Sequence, residues 1–447
     1  MRRETAYRTL AMILVAGLAM STGHAFAGGG FVNNNAVGGI HIDTDGVVSS
    51  QQVDDDEALQ AAWRSNLAPV PANLQKLTDL RYVSLRALES QIAKHRAAGE
   101  ELPDSVRYLA GLLRVQFVLV YPEKNDIVLA GPAEGWRVDS LGNTVGATTG
   151  RPVLYLEDLI TALRAAESET GVLSCSIDPT AVGMRNVNRV QRSFTPGESP
   201  RVAARKIEQA LGPQKITLAG VPSTSHFART LVAADFRMKR LAMDFEPAPI
   251  ANLPSYLDIL PERGRPPRNI LPRWWLATNY EPILRNQAGT AWQIRGQGVK
   301  CETENDFVDA QGERTRSEKT DKFARQWADR FTQNFEELAN HDSSFGQLRN
   351  IMDLAVATAI IAKNDLLRTT GVELPWLLEK EELQKYPAPK SVASQASFIR
   401  KGGKWIVSAS GGVQMLPWEV AAKTENADTP AVHAQATAAR SDGWWWE

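Results

Sequence analysis

The chain has 447 residues, a formal net charge of −1 and two cysteines. Its length is enough for two or three domains of roughly 100 to 200 residues each. A near-neutral balance without a block of five or six basic residues provides no field that attracts a polyanion, so the composition argues against nucleic acid as a partner.

Residues 1–27 have the three parts of a cleavable secretory signal. Three arginines occur within the first eight residues, an apolar run extends from Leu10 to Met20, and Ala25-Phe26-Ala27 forms a peptidase site. The apolar run is too short to span a bilayer, and the rest of the chain has no long uninterrupted apolar stretch. The sequence therefore predicts an exported protein, periplasmic or extracellular, with no membrane span.

Cys175 and Cys301 leave two alternatives open. In an oxidising location they could form one structural disulfide. They could equally be two separate buried thiols, because the sequence does not show whether their Cα atoms come within about 7 Å. Neither cysteine has a second cysteine or a histidine at ligand spacing, and the histidines are too far apart for a helical zinc motif. We therefore predict no metal and no other cofactor.

The first predicted region, residues 28–262, mixes strands and helices. Asp45-Gly46 lies between apolar residues and predicts a tight hairpin. The strands Val115–Tyr121 and Ile127–Ala130 predict a second hairpin, and Ser199-Pro200 predicts a helix start. A strand at Lys215–Ala219 precedes a further helix.

The second predicted region, residues 263–420, follows a proline- and arginine-rich linker at Pro261–Pro272. Aromatic residues from Phe323 to Leu338 recur at helical spacing, and Ser344 with Gln347 resembles a capping box that begins a second helix. We expect these two helices to pack as an antiparallel pair. The predicted fold class is α+β, with mixed, mainly antiparallel sheets and packed helices.

The last predicted segment, residues 421–447, has the composition of a disordered tail and ends in Trp444-Trp445-Trp446. Tryptophan is common where one side of a ring is apolar and the other is wet. The cluster could therefore dock on a partner or a membrane interface, or fold back on the protein's own surface.

Common catalytic signatures are missing, so the sequence leaves open whether the protein is an enzyme. The chain has no nucleophile elbow, no phosphate loop ending in Gly-Lys-Ser/Thr and no dinucleotide fingerprint after a strand. The best ligand-binding candidate is Ser223, Thr224, Ser225 and His226, because a strand precedes them and a helix follows, and the amides of a helix start can hold an anion. The alternative is that one hydroxyl only caps the helix.

Two further groups are weaker candidates. Glu134 and Trp136 follow a strand and could line a carbohydrate groove, although core packing explains a tryptophan equally well. Arg349 and Asp353 are four residues apart in an apolar helix, which favours a structural salt bridge over a polar pocket between helices.

Three stretches also carry a resemblance to a known family. Phe117–Trp136, Phe236–Met243 and Gly296–Cys301 resemble a family of large exported bacterial proteins known only as a domain of unknown function. The similarity extends from about Val37 to Pro417. The resemblance implies export and a shared fold, and it carries no activity, cofactor or catalytic residue.

We expect a non-catalytic envelope or extracellular protein that binds a partner or has a structural role. The partner would be an unidentified envelope protein or polysaccharide. The alternative is an envelope hydrolase acting on polysaccharide or peptide, with Glu134 or the pair Ser225 and His226 in its site.

Overall fold

The computed structural model describes most of the chain after residue 36. The described residues are 37–51, 61, 65, 67–167, 171–195, 198–260, 272–308, 314–317, 321–379, 383–398, 405–406, 409–427, 432–441 and 443–447. The predicted signal at residues 1–27 lies outside the described residues, and so do residues 261–271 of the predicted linker. The predicted division into two regions at residue 262 therefore stays a prediction. None of the helices in the described ranges is long and apolar enough to cross a membrane.

The strands of the described ranges form two large sheets and two separate two-stranded sheets, β6-β7 and β16-β17. Their bounds are β1 Ile40–Ile42, β2 Val47–Ser50, β3 Thr78–Ser84, β4 Phe117–Tyr121, β5 Asp126–Ala133, β6 Trp136–Val138, β7 Thr144–Gly146, β8 Leu173–Asp178, β9 Gln214–Ala219, β10 Arg273–Asn279, β11 Ile283–Arg285, β12 Ala291–Gln293, β13 Gly298–Val308, β14 Arg314–Ser317, β15 Ser391–Val392, β16 Ser397–Phe398, β17 Trp405–Ile406, β18 Ser410–Met415, β19 Thr424–Asn426 and β20 Trp445–Trp446.

The helices lie between groups of these strands along the chain. Their bounds are α1 Leu85–Ala98, α2 Asp104–Arg107, α3 Leu156–Ala166, α4 Ala181–Gln191, α5 Pro200–Leu211, α6 His226–Ala242, α7 Tyr256–Ile259, α8 Lys322–Gln333, α9 Phe335–His341, α10 Ser343–Lys363, α11 Leu366–Thr370, α12 Pro375–Leu378, α13 Pro417–Ala422 and α14 Val432–Ala439. The predicted α+β class is confirmed.

The larger sheet has nine strands in the order β1-β2-β15-β9-β8-β18-β10-β13-β14. Most neighbours are antiparallel, while β10 pairs with β18 and β2 with β15 in parallel. The sheet is therefore mixed and mainly antiparallel, as predicted. Its first two strands form the predicted hairpin, in which Gly46 has a φ of 86°.

The register of this sheet separates the two cysteines. Cys175 in β8 lies opposite Val413 in β18, which lies opposite Leu276 in β10, which lies opposite Cys301 in β13. Three spacings between strands amount to roughly 14 Å, twice the Cα separation that a disulfide tolerates. The structure has no disulfide between them, and both residues are buried free thiols. Of the two alternatives, the structure contains the separate thiols.

The smaller sheet has seven strands in the order β19-β11-β12-β4-β5-β3-β20, and each of its faces packs against a different core. Val118, Val120 and Leu129 point to the main core of the protein. Leu119 and Val128, on the opposite face, belong to a second apolar cluster. Successive residues of a strand point to opposite faces, so the continuous apolar run in β4 is explained by burial of both.

Helix α10 lies at the centre of the main core. Every residue from Ser344 to Ile361 is buried, and the helix contacts α3, α6, α9 and α13. A helix that is apolar on all sides is expected in such a position. Its polar residues are therefore placed among groups that have little water to solvate them.

Two predicted details of the helical pair differ from the structure. The predicted helix from Phe323 to Leu338 is two helices, α8 and α9, which meet at Asn334. Helix α10 is capped by Asp342, whose carboxylate accepts a bond from the Ser344 amide, and not by the predicted box of Ser344 and Gln347. Ser344 instead donates its hydroxyl to the Gly38 carbonyl, a contact from a distant part of the chain.

The predicted disordered tail is ordered in the part that the structure describes. Strand β20 adds to the edge of β3, and the Trp446 ring stacks on Tyr82 with 5.5 Å between centroids. The Glu447 carboxylate pairs with Arg81, and Arg440 pairs with Asp126. The segment is ordered because α14 and β20 cover the second apolar cluster of the smaller sheet. Of the two alternatives for the tryptophans, the structure contains the one in which they fold back.

Candidate functional site

The predicted ligand segment lies between β9 and α6. Ser225 is the N-cap of α6: its Oγ accepts a bond of 3.1 Å from the Ala228 amide and donates one of 2.7 Å to the Pro222 carbonyl. Ser223 is exposed, and the Thr224 carbonyl accepts a bond from the Tyr386 amide. The Ser225 hydroxyl therefore serves the helix start, which is the alternative that the sequence left open.

His226 is buried and paired with a carboxylate that the sequence did not single out. Its Nδ1 lies 2.8 Å from Asp158 Oδ2, and its ring stacks on Tyr155 with 4.5 Å between centroids. Burial acts against a charged imidazole, but the carboxylates of Asp158 and Glu157 outweigh it and raise the pKa of His226. Asp158 lies in the first turn of α3, where an acidic residue is ordinary, so no sequence signal marked it.

Tyr386 lies next to the pair of His226 and Asp158. The Tyr386 hydroxyl donates to Glu157 Oε1 at 2.8 Å, and the Arg229 guanidinium lies 4.9 Å from the Tyr386 ring centroid. Burial raises the pKa of Glu157. Within the described ranges, His226 Nε2 is buried and has no hydrogen-bond partner.

Glu134 is buried and holds a loop. Its carboxylate accepts bonds from the amides of Thr148 and Thr149 and from the Thr149 hydroxyl. The Thr149 hydroxyl in turn accepts a bond of 3.2 Å from the Arg151 amide. Glu134 therefore positions the segment that carries Arg151, and its oxygens are occupied by that task.

Trp136 is 4% exposed and lies in the core. Its ring is 5.7 Å from Tyr108, which is 5.4 Å from Tyr155, the ring that stacks on His226. The structure thus connects two predicted site residues, Trp136 and His226, through a row of aromatic rings. Its burial gives Trp136 no open face for a sugar.

A further polar cluster surrounds Asp353 in α10. Arg114 donates to both of its oxygens, from Nε at 2.8 Å and from Nη2 at 3.0 Å, and the Tyr280 hydroxyl donates at 2.8 Å. Burial acts against the charge of Arg114, but the adjacent carboxylate outweighs it and raises the Arg114 pKa. Asp353 therefore pairs with Arg114 from a distant loop, and the predicted bridge to Arg349 is wrong.

Arg349 lies beside this pair and is 1% exposed. One nitrogen, Nη2, donates to Asn340 Oδ1 at 3.3 Å. In the part of the chain that the structure describes, its buried Nε and Nη1 atoms have no acceptor. Burial and the positive charges of Arg114 and Arg151 lower the Arg349 pKa to about 9.

The third arginine, Arg151, is half-buried, and its Nε is also without an acceptor in the described ranges. The carboxylate of the exposed residue Glu336 acts electrostatically on Arg114, Arg151 and Arg349 alike. We call these three arginines the arginine cluster. Sequence reasoning noticed only Arg349, because the others lie far from it along the chain.

The arginine cluster has donors and positive charge, and nothing there suits a cation. Among the described residues, no group of three or more His, Cys, Asp or Glu side chains could hold a metal ion. Guanidinium groups bind carboxylates and phosphates through paired N–H donors. The arrangement can therefore bind and orient an anionic group.

Comparison with known proteins agrees in part with the resemblance. A family model described as a protein of unknown function, DUF1598, matches residues 175–256. The match includes α6 and the stretch Phe236–Met243, while the arginine cluster lies outside it. Searches of curated proteins and of solved structures gave no match. The domain of unknown function is confirmed for this segment.

Proposed function

We propose that the protein is an exported, non-catalytic binding protein of the envelope or the extracellular space, and that its ligand contacts the arginine cluster. The observation that supports the proposal is Arg349, a buried guanidinium with two nitrogens that lack an acceptor among the described residues. Buried donors are nearly always paired, and an unpaired one costs about 1–3 kcal/mol or more when it is charged. A bound ligand would remove that cost.

Export rests on residues 1–27, and it can be tested directly. We expect the full chain, produced in a bacterial host, to appear outside the cytoplasm with Gly28 as its first residue, measured by mass spectrometry. The double variant Ala25→Arg and Ala27→Arg removes the small residues of the peptidase site and should keep its signal. An unprocessed wild-type protein in the cytoplasm would contradict the proposed location.

Binding can be tested by thermal unfolding of residues 28–447 in the presence of fractionated envelope extracts. A ligand that binds only the folded state raises Tm. We expect a fraction that raises the Tm of the wild type and of Arg240→Met, but not of Arg349→Met. Arg240 is a suitable control because it is a partly buried arginine outside the cluster, paired with Glu246. If every active fraction shifts all three proteins equally, the ligand does not bind at the cluster.

The alternative, a hydrolase acting on polysaccharide or peptide, is supported by one observation. Asp158 orients His226 as the acid of a catalytic triad orients its base, and His226 Nε2 has no hydrogen-bond partner in the described part of the chain. The proposed nucleophile and acid are engaged elsewhere, since Ser225 donates to the Pro222 carbonyl and Glu134 holds a loop. Turnover of an extract component by the wild type, lost in His226→Gln and in Ser225→Ala, would favour the hydrolase over the binding protein.

A further inference from the structure

We propose that the arginine cluster binds one oxyanion group, a carboxylate or a phosphate, as the anionic end of the ligand. The inference rests on the proposed function and specifies the chemistry of the same site. Three observations support it: the bonds that Asp353 already accepts from other residues, the lack of acceptors for Arg349 among the described residues, and the packing that holds Arg349 and the segment of Arg151.

Asp353 accepts three hydrogen bonds in the described ranges, and none of them comes from Arg349 or Arg151. Its Oδ2 accepts from Arg114 Nε, and its Oδ1 accepts from Arg114 Nη2 and from the Tyr280 hydroxyl. Arg114 further donates to the Gly296 carbonyl at 3.2 Å. Asp353 is therefore engaged by Arg114 and Tyr280, while Arg349 Nε and Nη1 and Arg151 Nε have no acceptor in the part of the chain that the structure describes.

The carboxylates near the cluster leave some of its N–H groups unpaired. Arg151 is acted on by Glu134 as well as by Asp353 and Glu336, so three guanidinium groups face three carboxylates, but the oxygens of Glu134 accept from Thr148 and Thr149. Glu336 makes no hydrogen bond to any of the three arginines in the described ranges. Water molecules could accept from the unpaired N–H groups. An oxyanion would accept from them and would also form salt bridges with Arg151 and Arg349, which make none in the described ranges.

The arginines are held in place before any ligand binds. Gly298 leaves room for Arg349, since a Cβ atom on Gly298 would lie 3.1 Å from Arg349 Cγ and 3.4 Å from the Tyr280 hydroxyl. Asn350, the residue after Arg349, donates to the Pro152 carbonyl at 2.8 Å and so joins α10 to the segment of Arg151. Such fixed donors favour a small group of defined shape over a flexible polyanion.

The test uses residues 28–447 in a buffer without oxyanions, with Tm measured against inorganic phosphate, acetate and glucuronate. Sodium chloride keeps the ionic strength constant in every sample, because exposed charges are screened by salt. We expect saturable stabilisation by phosphate, or by acetate and glucuronate. Phosphate alone would indicate a phosphate-bearing ligand, and the two carboxylates alone an acidic sugar or peptide end.

Variants connect the effect to the cluster. Arg349→Met should weaken anion binding by more than about thirtyfold, as expected for loss of a buried charged partner. Glu336→Gln should tighten it by roughly two- to fivefold, because an exposed competing carboxylate is removed. Arg240→Met should leave it unchanged. If Arg349→Met does not fold, Glu336→Gln still tests the inference, because a cluster with only a structural role would show no increase in anion affinity in this variant.

Two results would overturn the inference. One is the absence of saturable stabilisation by phosphate, acetate and glucuronate. The other is equal stabilisation of the wild type and Arg349→Met, which would mean an adventitious ion elsewhere. If extracts still shift the wild type but not Arg349→Met while all three anions have no effect, the binding protein stands and the oxyanion chemistry fails. If neither extracts nor anions act through Arg349, both proposals fail.

Discussion

The residues Asp235 and Lys239 form a buried ion pair in α6. Lys239 Nζ donates to the Asp235 carboxylate at 2.9 Å, to the Ile177 carbonyl at 2.8 Å and to the Gly411 carbonyl at 3.2 Å. All three ammonium donors are therefore used, and they join α6 to β8 and β18. Burial nevertheless raises the Asp235 pKa to about 7, against the opposing effect of Lys239. Desolvation of the carboxylate costs more here than the ion pair returns.

The raised pKa predicts how stability depends on pH. In the unfolded chain an aspartate titrates near 3.9, so between about pH 4 and pH 7 the folded state binds more protons at Asp235. This contribution to stability is complete below pH 4 and is lost as the pH rises to 7. The variant Asp235→Asn has no titrating group at this position, so its stability does not change with pH for this reason. Relative to the variant, the wild type should lose about 3 kcal/mol between pH 4.5 and 7.5, measured by urea unfolding.

The exposed Asp79→Asn is the control for this measurement, and we expect it to follow the wild type across the pH range. Parallel curves for the wild type and Asp235→Asn would show that Asp235 has no raised pKa in the folded protein.

The buried cysteines give a second prediction at the level of single residues. Burial raises the pKa of both Cys175 and Cys301, so neither forms a reactive thiolate in the folded protein. We expect a thiol reagent to label neither residue in the native state and both in denaturant without reductant. The protein should be purified from the periplasm of a host, because a disulfide that can form will form in that oxidising compartment. Two unreactive cysteines in denaturant would mean that a disulfide forms.

The secondary-structure elements differ in how far the sequence predicts them. The hairpins at Gly46 and between β4 and β5, and the start of α5 at Pro200, depend on neighbouring residues and were predicted correctly. The C-terminal strand depends on an edge more than 350 residues away in the chain, where the Glu447 side chain meets Arg81. Local composition cannot show such a contact, so the same segment was predicted to be disordered.

The site was predictable to the same limited extent. The i,i+4 spacing of Arg349 and Asp353 favoured a local salt bridge. The actual partner of Asp353 is Arg114, 239 residues away, and that of His226 is Asp158, 68 residues away. Each polar side chain was visible in the sequence, and its partner was fixed only by tertiary packing.

The C-terminal elements α14 and β20 provide a prediction about stability. Trp446 stacks on Tyr82 and donates its Nε1 to the Ala436 carbonyl at 3.0 Å, so it joins both elements to the smaller sheet. Trp446→Ala should lower the free energy of unfolding by about 3 kcal/mol, measured with urea. Trp444→Ala, at a half-buried position, should cost less. Equal losses, or none for Trp446→Ala, would contradict this role of the tail.

At the scale of the whole molecule, each large sheet contains strands from both predicted regions. In the larger sheet β8 lies next to β18, and in the smaller one β4 lies next to β12. The contacts group Asn35–Glu447 into one compact unit. Separating the chain at residue 262 would expose unpaired strand edges in both sheets, and such edges bind other chains.

We therefore expect that residues 28–262 and residues 263–447 do not fold alone, because each lacks neighbours for its central strands. Each fragment should give a poorly dispersed amide NMR spectrum or aggregate, while residues 28–447 should unfold in one cooperative transition followed by urea. Mixing the two fragments during refolding is the control, since the missing strands are then supplied in trans. A well-dispersed spectrum from either fragment alone would instead support a boundary near residue 262, with two cores that are stable independently of each other.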